Sequence, residues 1–189
     1  MENYASKPIM FILLTLVSFI QFAFILRFLF EIMRVNFYNP VSQIIVKITD
    51  PILKPMRVIP LYIGRVDIII ILIATSITAL KIYIPYSFSS FEFSLNSLVL
   101  ISFGKFLDEA LTILWWSVII GAVGSWFMSY TKHPLFSLID ELCEPLYIPI
   151  RRILPATAGI DFSPIILLVF INLTQMILIP PIFHLARIL

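Results

Sequence analysis

One cysteine, five glycines, two histidines and 13% charged side chains are all that 189 residues supply of the types on which most soluble enzymes are built. A single thiol, Cys143, rules out an internal disulfide and any CxxC metal or redox pair. It reads as a small apolar residue on a loop helix rather than as a reactive group. No glycine-rich run is present to cradle a phosphate, and no acid pair, nucleophile with its base, or metal-ligand cluster is visible. No catalytic residue, metal or cofactor is therefore expected, and an enzyme is improbable. A net charge of +2 is too small to suggest a nucleic-acid partner.

What is abundant is apolar. Sixty per cent of residues are hydrophobic and the mean hydropathy is +1.04, whereas a soluble domain is roughly 45–50% apolar and ~25% charged. The excess falls into four blocks near the ~20-residue length that crosses a bilayer: residues 8 to 33, 67 to 84, 106 to 129 and 163 to 183. The first block follows Lys7 as a secretory signal would, but it is longer than a typical signal core and no small-x-small site follows it, so it reads as a retained span. The third block could start earlier, since 95 to 109 is apolar, but Lys105, Asp108 and Glu109 fit an interface, paired along one helix. Pro85 and several serines mark residues 85 to 94 as the linker between two halves.

The chain states its central motif twice. Pro40 corresponds to Pro134, Asp50-Pro51 to Glu144-Pro145, Pro55 to Pro149, Arg57 to Arg151 and Asp67 to Asp161, each displaced by 94 positions. Each copy lies between two spans, which predicts two units, 1–91 and 92–189, each a helical hairpin closed by a proline-rich loop. Within the loops Val41, Ile44, Ile45 and Ile48 match Leu135, Leu138, Ile139 and Leu142, a helical spacing that predicts an amphipathic segment lying in the membrane plane or folded back against the spans. It is expected to open at Pro40 or Pro134 and to stop at Asp50-Pro51 or Glu144-Pro145, whose acids would cap the next turn. Asp67 and Ser163, with Pro164 at the first helical position, are expected to cap the second and fourth spans.

Lys and Arg set the orientation. Arg34, Lys47, Lys54, Arg57, Arg65, Lys132, Arg151 and Arg152 fall in the two motif loops, against Lys7 and Arg187 on the other side and Lys81 and Lys105 near it. Positive residues stay inside, so both loops are expected in the cytoplasm and both termini in the periplasm, and the repeat is parallel rather than inverted. The fold class is all-α: four transmembrane helices in two tandem parallel repeats.

At these residues the chain resembles the YggT family of small bacterial integral membrane proteins, which has plastid relatives. EPLYIPIRRILPATAGIDFSP in the second half follows the family pattern of acid-Pro, Pro-x-Arg-Arg, Pro, Gly-x-Asp and Ser-Pro; the first half keeps TDPILKPMRVIP and then departs, with Val58 after Arg57 and Ile68-Ile69 after Asp67. The resemblance implies an inner-membrane protein associated with tolerance of osmotic shock in bacteria, and with assembly of a b-type cytochrome complex and nucleoid or division-related organisation in plastids. It implies no defined reaction. His133 and His184 lack the facing-helix placement of a bis-His haem site, one preceding a proline and one lying near the C-terminus.

Arg57, Arg151 and Arg152 are the candidate contacts to lipid headgroups or an acidic partner, for which a guanidinium fork is suited; the alternative is that they orient insertion. Asp50, Pro51, Pro55, Asp67, Glu144, Pro145, Pro149, Asp161, Ser163 and Pro164 are the structural motif residues. Arg27, Glu31 and Arg34 form a stripe on the first span, read as a snorkelling ion pair. Thr78 and Lys81, and their counterparts Asn172 and Gln175, either bond across helices or line a water-filled path; Lys81, near the outer boundary, is expected to snorkel. Ser117, Gly121 and Ser125 mark a close-packing face on the third span. The function expected is a non-catalytic membrane scaffold, with another membrane protein or a second copy as partner; the alternative is a small oligomeric channel.

Overall fold

The computed structural model describes residues 6–58, 61–64, 66–86, 94–127, 133–154 and 161–188. Arg65, Lys132, most of the linker between halves and the 155–160 stretch of the second motif lie outside the described residues. Six helices account for nearly all of the rest: α1 Ser6–Met33, α2 Pro40–Met56, α3 Ile68–Tyr86, α4 Leu95–Phe127, α5 Pro134–Ile153 and α6 Ser163–Ile188. α1, α3, α4 and α6 are long and apolar enough to cross a membrane, and α2 and α5 are the amphipathic connectors. A strand pair, β1 Tyr62–Ile63 with β2 Val66–Asp67, links α2 to α3. The sequence pattern had suggested no strand there; its turn holds Gly64 at φ +62°, a conformation glycine adopts without a side-chain penalty.

α1 ends because Arg34 turns left-handed, at φ 59°. Val35 N–H then reaches back to the Phe30 carbonyl (2.9 Å) and Arg34 N–H to that of Glu31 (3.4 Å), a Schellman closure sealed by the buried Val35. Arg34 therefore leaves the helix, and the expected three-residue stripe is a pair, Arg27 and Glu31.

α2 and α5 open alike. Asn39 Oδ1 accepts from the Val41 N–H (2.9 Å) and His133 Nδ1 from that of Leu135 (3.2 Å), each followed by a proline at the first helical position. Neither helix stops where expected. α2 runs through Pro51 and Pro55 to Met56, and α5 through Pro145 and Pro149 to Ile153. Two prolines four residues apart remove two helical donors from one stripe only, and in α2 that stripe faces outward, Pro51 and Pro55 both being exposed. The inner stripe, Ser42, Ile45, Thr49 and Leu53, is buried against the spans. Of the expected apolar stripe, Ile45 is buried against the spans, whereas Ile44 and Ile48 are exposed. In α5 the expected Leu138, Ile139 and Leu142 are buried, while Leu135 is exposed.

The spans are longer than the apolar blocks. α4 begins at Leu95 rather than near 106, and α6 continues through Pro180 and Pro181 to Ile188, as intramembrane helices can where neighbours take up the freed backbone groups. Lys105, Asp108 and Glu109 do not pair along α4. Lys105 lies over the Phe183 ring (5.7 Å), Asp108 accepts from Gln175 (3.2 Å) and Glu109 meets Lys81 (3.5 Å). α6 turns Ile165, Val169, Phe170, Leu173, Met176 and Ile177 outward, an apolar flank suited to lipid.

The two connectors lie at one end of the bundle and touch. Asn39 Nδ2 donates to the Pro134 carbonyl (2.8 Å), and the Asn36 N–H donates to Glu141 (2.7 Å). Asn39→Ala removes both the α2 cap and this joint, so it is expected to lower stability by about 1–2 kcal/mol, read as a shift in the detergent-unfolding midpoint; a change within error would show that the joint contributes nothing.

Candidate functional site

Each motif folds into an ion cluster where a connector meets the spans. In the first half Arg57, closing α2, donates from Nε to Asp67 Oδ2 (2.8 Å) and from Nη2 to Asp67 and to Glu31 Oε1 (2.8 Å). Glu31 also accepts from Arg27 Nε (3.1 Å), and Arg27 Nη2 approaches Asp50 (3.8 Å), which holds Lys54 at 2.9 Å. Arg27 is only 7% exposed, with its guanidinium over Phe37 at 4.9 Å. It does not snorkel to water. Asp67 is 1% exposed, and its other oxygen caps α3 through the Ile69 N–H (2.9 Å). Three cations and three acids thus tie α1, α2 and α3 together, and Asp50 is spent on Arg27 and Lys54 rather than on a cap.

The second half repeats the core of this arrangement. Arg151 donates from Nε to Asp161 Oδ2 (3.0 Å) and from Nη1 to Glu144 Oε2 (2.8 Å), and lies over the Tyr147 ring at 4.9 Å. Asp161, not Ser163, supplies the cap at the start of α6, accepting from the Ser163 N–H at 2.9 Å, as its counterpart Asp67 does in α3. Ser163 is fully buried inside the first turn. Arg152 is exposed and forms no hydrogen bond or ion pair with any described residue. Of the three candidate arginines, two are therefore engaged within the chain.

Burial pushes the Asp161 carboxyl up, but hydrogen bonds from Ser163 and Arg151, with the arginine's charge, outweigh it and hold the group below the usual range. Burial raises the Cys143 thiol to about 12, the nearby Asp140 adding to the effect. Cys143 is buried on α5 and stays protonated near neutrality, the inert role the sequence suggested. Among the described residues no group of three His, Cys, Asp or Glu side chains could hold a metal ion. His133 opens α5, and His184 lies in the last turns of α6.

Deeper in the bundle, polar residues bond across helices. Gln21, 1% exposed, donates to Thr78 Oγ1 (2.8 Å) and accepts from Lys81 Nζ (2.8 Å), so α1 and α3 are pinned and Lys81 turns inward instead of snorkelling. In the other half Gln175 reaches Asp108 Oδ1 (3.2 Å) and Thr112 Oγ1 (3.1 Å) on α4. Among the described residues Asn172 bonds only its own helix, to the Leu168 carbonyl. Of the Ser117-Gly121-Ser125 stripe, Gly121 packs on the connector α5, where a Cβ would meet Ile139 Cγ2 at 3.2 Å, while Ser125 is exposed. Gln21→Leu is expected to cost about 0.6–1.7 kcal/mol, the span of measured interhelical hydrogen bonds in membranes; a larger loss by detergent titration would mean that Lys81 is left without compensation.

Duplicated hairpins of membrane-length helices, closed at one end by ion-paired amphipathic connectors, define a polytopic α-helical membrane protein. The profile of the CCB3/YggT family matches residues 6–87 and again residues 100–182. An uncharacterized protein of Pseudomonas aeruginosa is 31% identical over 174 residues, 89% of this chain and 87% of the relative. An uncharacterized protein in the proC 3′ region of Vibrio alginolyticus is 35% identical over 162 residues, 84% and 86% of the two chains, and the uncharacterized protein YggT of Escherichia coli K12 is 31% identical over 166 residues, 88% and 86%. The chain belongs to the CCB3/YggT family. No solved structure matches it.

Proposed function

We propose that the chain is a non-catalytic scaffold of the bacterial inner membrane, with the repeats 1–91 and 92–189 as its units, both connectors in the cytoplasm and both termini in the periplasm. In this reading it organises another membrane protein, or a second copy, and contributes to survival of osmotic stress. The observation that carries it is the joint between connectors: each is tied to the start of the following span by an arginine, half-buried Arg57 or exposed Arg151, and the two are bonded to each other through Asn39 and Asn36. Such a surface is held in shape before any partner arrives, which lowers the ordering cost of binding. Exposed Arg152, like Lys47 on α2, is a cation of this surface that no described residue pairs, suited to an acidic partner or to lipid phosphate.

The rival is a small oligomeric channel. Against it, Gln21, Thr78, Lys81, Gln175 and Asp108 are used on one another rather than left to line a path. Cysteines placed at 47, 92 and 140 in a Cys143→Ala chain test the orientation: 47 and 140 should label only from the cytoplasmic side and 92 only from the periplasm. A photocrosslinker at 152 should then capture one reproducible membrane partner. Solute flux through liposomes, abolished by Asn172→Leu with Gln175→Leu, would overturn the scaffold reading.

A further inference from the structure

The two ion clusters share a plan but not a charge balance. In the first half Arg27, Lys54 and Arg57 offset Glu31, Asp50 and Asp67. Ninety-four positions on, Arg27 is replaced by Gly121, Glu31 by Ser125 and Lys54 by Ile148. The second half repairs only the acidic loss: Glu144, counterpart of Asp50, swings to Arg151 at 2.8 Å and takes the part that Glu31 plays toward Arg57. Nothing among the described residues takes the part of Arg27. Arg151 alone faces Glu144 and Asp161, and a further acid, Asp140, stands where the first half has Val46.

Gly121 and Ser125, which stand where the first half has Arg27 and Glu31, border open space in the second. A cavity of about 500 Å³ lies between α4, α5 and α6, walled by Gly121, Ser125, Asp140, Cys143, Arg151 and Asp161. The buried Ile139 and Cys143 in its lining suit an alkyl stem, while the Asp140 and Asp161 carboxylates suit a charged head. Burial raises the Asp140 carboxyl, the Glu144 charge raises it further, and Arg151 opposes both; a cation would relieve that strain between like charges. The three acids are not arranged as metal ligands.

We propose that this cavity binds an organic cation carrying N–H donors, a guanidinium or a primary ammonium, in the place that the first repeat fills with its own Arg27. Two sources offer that chemistry, a free amine or guanidine and the ethanolamine headgroup of a membrane lipid. The test is calorimetric titration of the full chain in maltoside micelles, which present no cation, with ethylguanidinium and ethylammonium. Saturable binding is expected, weakened about tenfold, the equivalent of one lost charge contact, by Asp140→Asn, which removes a charge but no hydrogen bond among the described residues. Ser125→Lys, which supplies an ammonium from within the chain, should abolish it. If either variant fails to fold, the other carries the comparison. Repeating the titration in phosphatidylglycerol nanodiscs with and without phosphatidylethanolamine assigns the source: competition by the lipid identifies the headgroup, and unchanged binding identifies a free cation. No saturable binding to the native chain, equal binding of tetramethylammonium, or full affinity in folded Asp140→Asn and Ser125→Lys chains would overturn the proposal.

Discussion

Replacing Arg57 with leucine is expected to destabilise the folded chain by about 3–5 kcal/mol, the usual result of stripping a buried carboxylate of its partner, while Arg151→Leu at the equivalent place costs about 1 kcal/mol or less. The difference lies in what each arginine leaves behind. Asp67 is almost wholly enclosed, it caps α3, and Glu31 beside it would be left with Arg27 alone. Glu144 and Asp161 are half and one-third exposed and can be resolvated. Reversible unfolding in mixed micelles, followed by circular dichroism, reads both losses on one scale. Equal losses would show that the two clusters are energetically interchangeable and that the enclosure of Asp67 contributes nothing.

Gly104→Leu is expected to separate α4 from α6, with a loss above about 3 kcal/mol, while Gly104→Ala costs about 1–3 kcal/mol. A Cβ at this position would stand 2.7 Å from Phe183 Cε1 and 3.0 Å from Ile182 Cγ2. At that distance the ring, or the helix that carries it, must shift. Truncating the obstacle supplies the control. In a Gly104→Ala, Phe183→Ala chain the penalty of the alanine should largely vanish, leaving only that of the shortened phenylalanine, a coupling that a double-mutant cycle measures. Additive losses would place the clash elsewhere.

The spans, the doubling and the family were legible because each rests on a pattern carried by many residues. Hydropathy marks helices that must satisfy their own backbone, and the 94-residue displacement aligns Arg57 with Arg151 and Asp67 with Asp161, which the structure joins in both halves. The α3 cap was legible at Asp67 for the same reason. Where the connectors end was not. A proline reads as a stop, yet Pro51 and Pro55 sit on the stripe of α2 that faces away from the spans, so the broken bonds fall where nothing packs, and the ion pairs of Arg27 and Arg57 hold the far end. Partners across helices were equally hidden. Lys105, Asp108 and Glu109 have the spacing of a self-paired helix, but their partners are Phe183, Gln175 and Lys81 on other helices. Asn39 and His133, each before a proline, carried a cap signal that the prolines overshadowed. Gly104 gave no warning, since it lies outside the small-residue stripe of α4.

α4 has 33 residues and α3 has 19, which at a rise of about 1.5 Å per residue makes them roughly 50 and 28 Å long. The oily layer of a bilayer is about 30 Å thick, so α3 finishes flush with it. An upright α4, level with the connectors at one end, leaves that layer near Lys105, Asp108 and Glu109, and its opening three turns rise into the headgroups and water beyond. α1, with 28 residues, and α6, with 26, overrun the layer by less, so the described helices leave one surface closed by two recumbent segments and the other stepped, with α4 standing highest and α3 lowest.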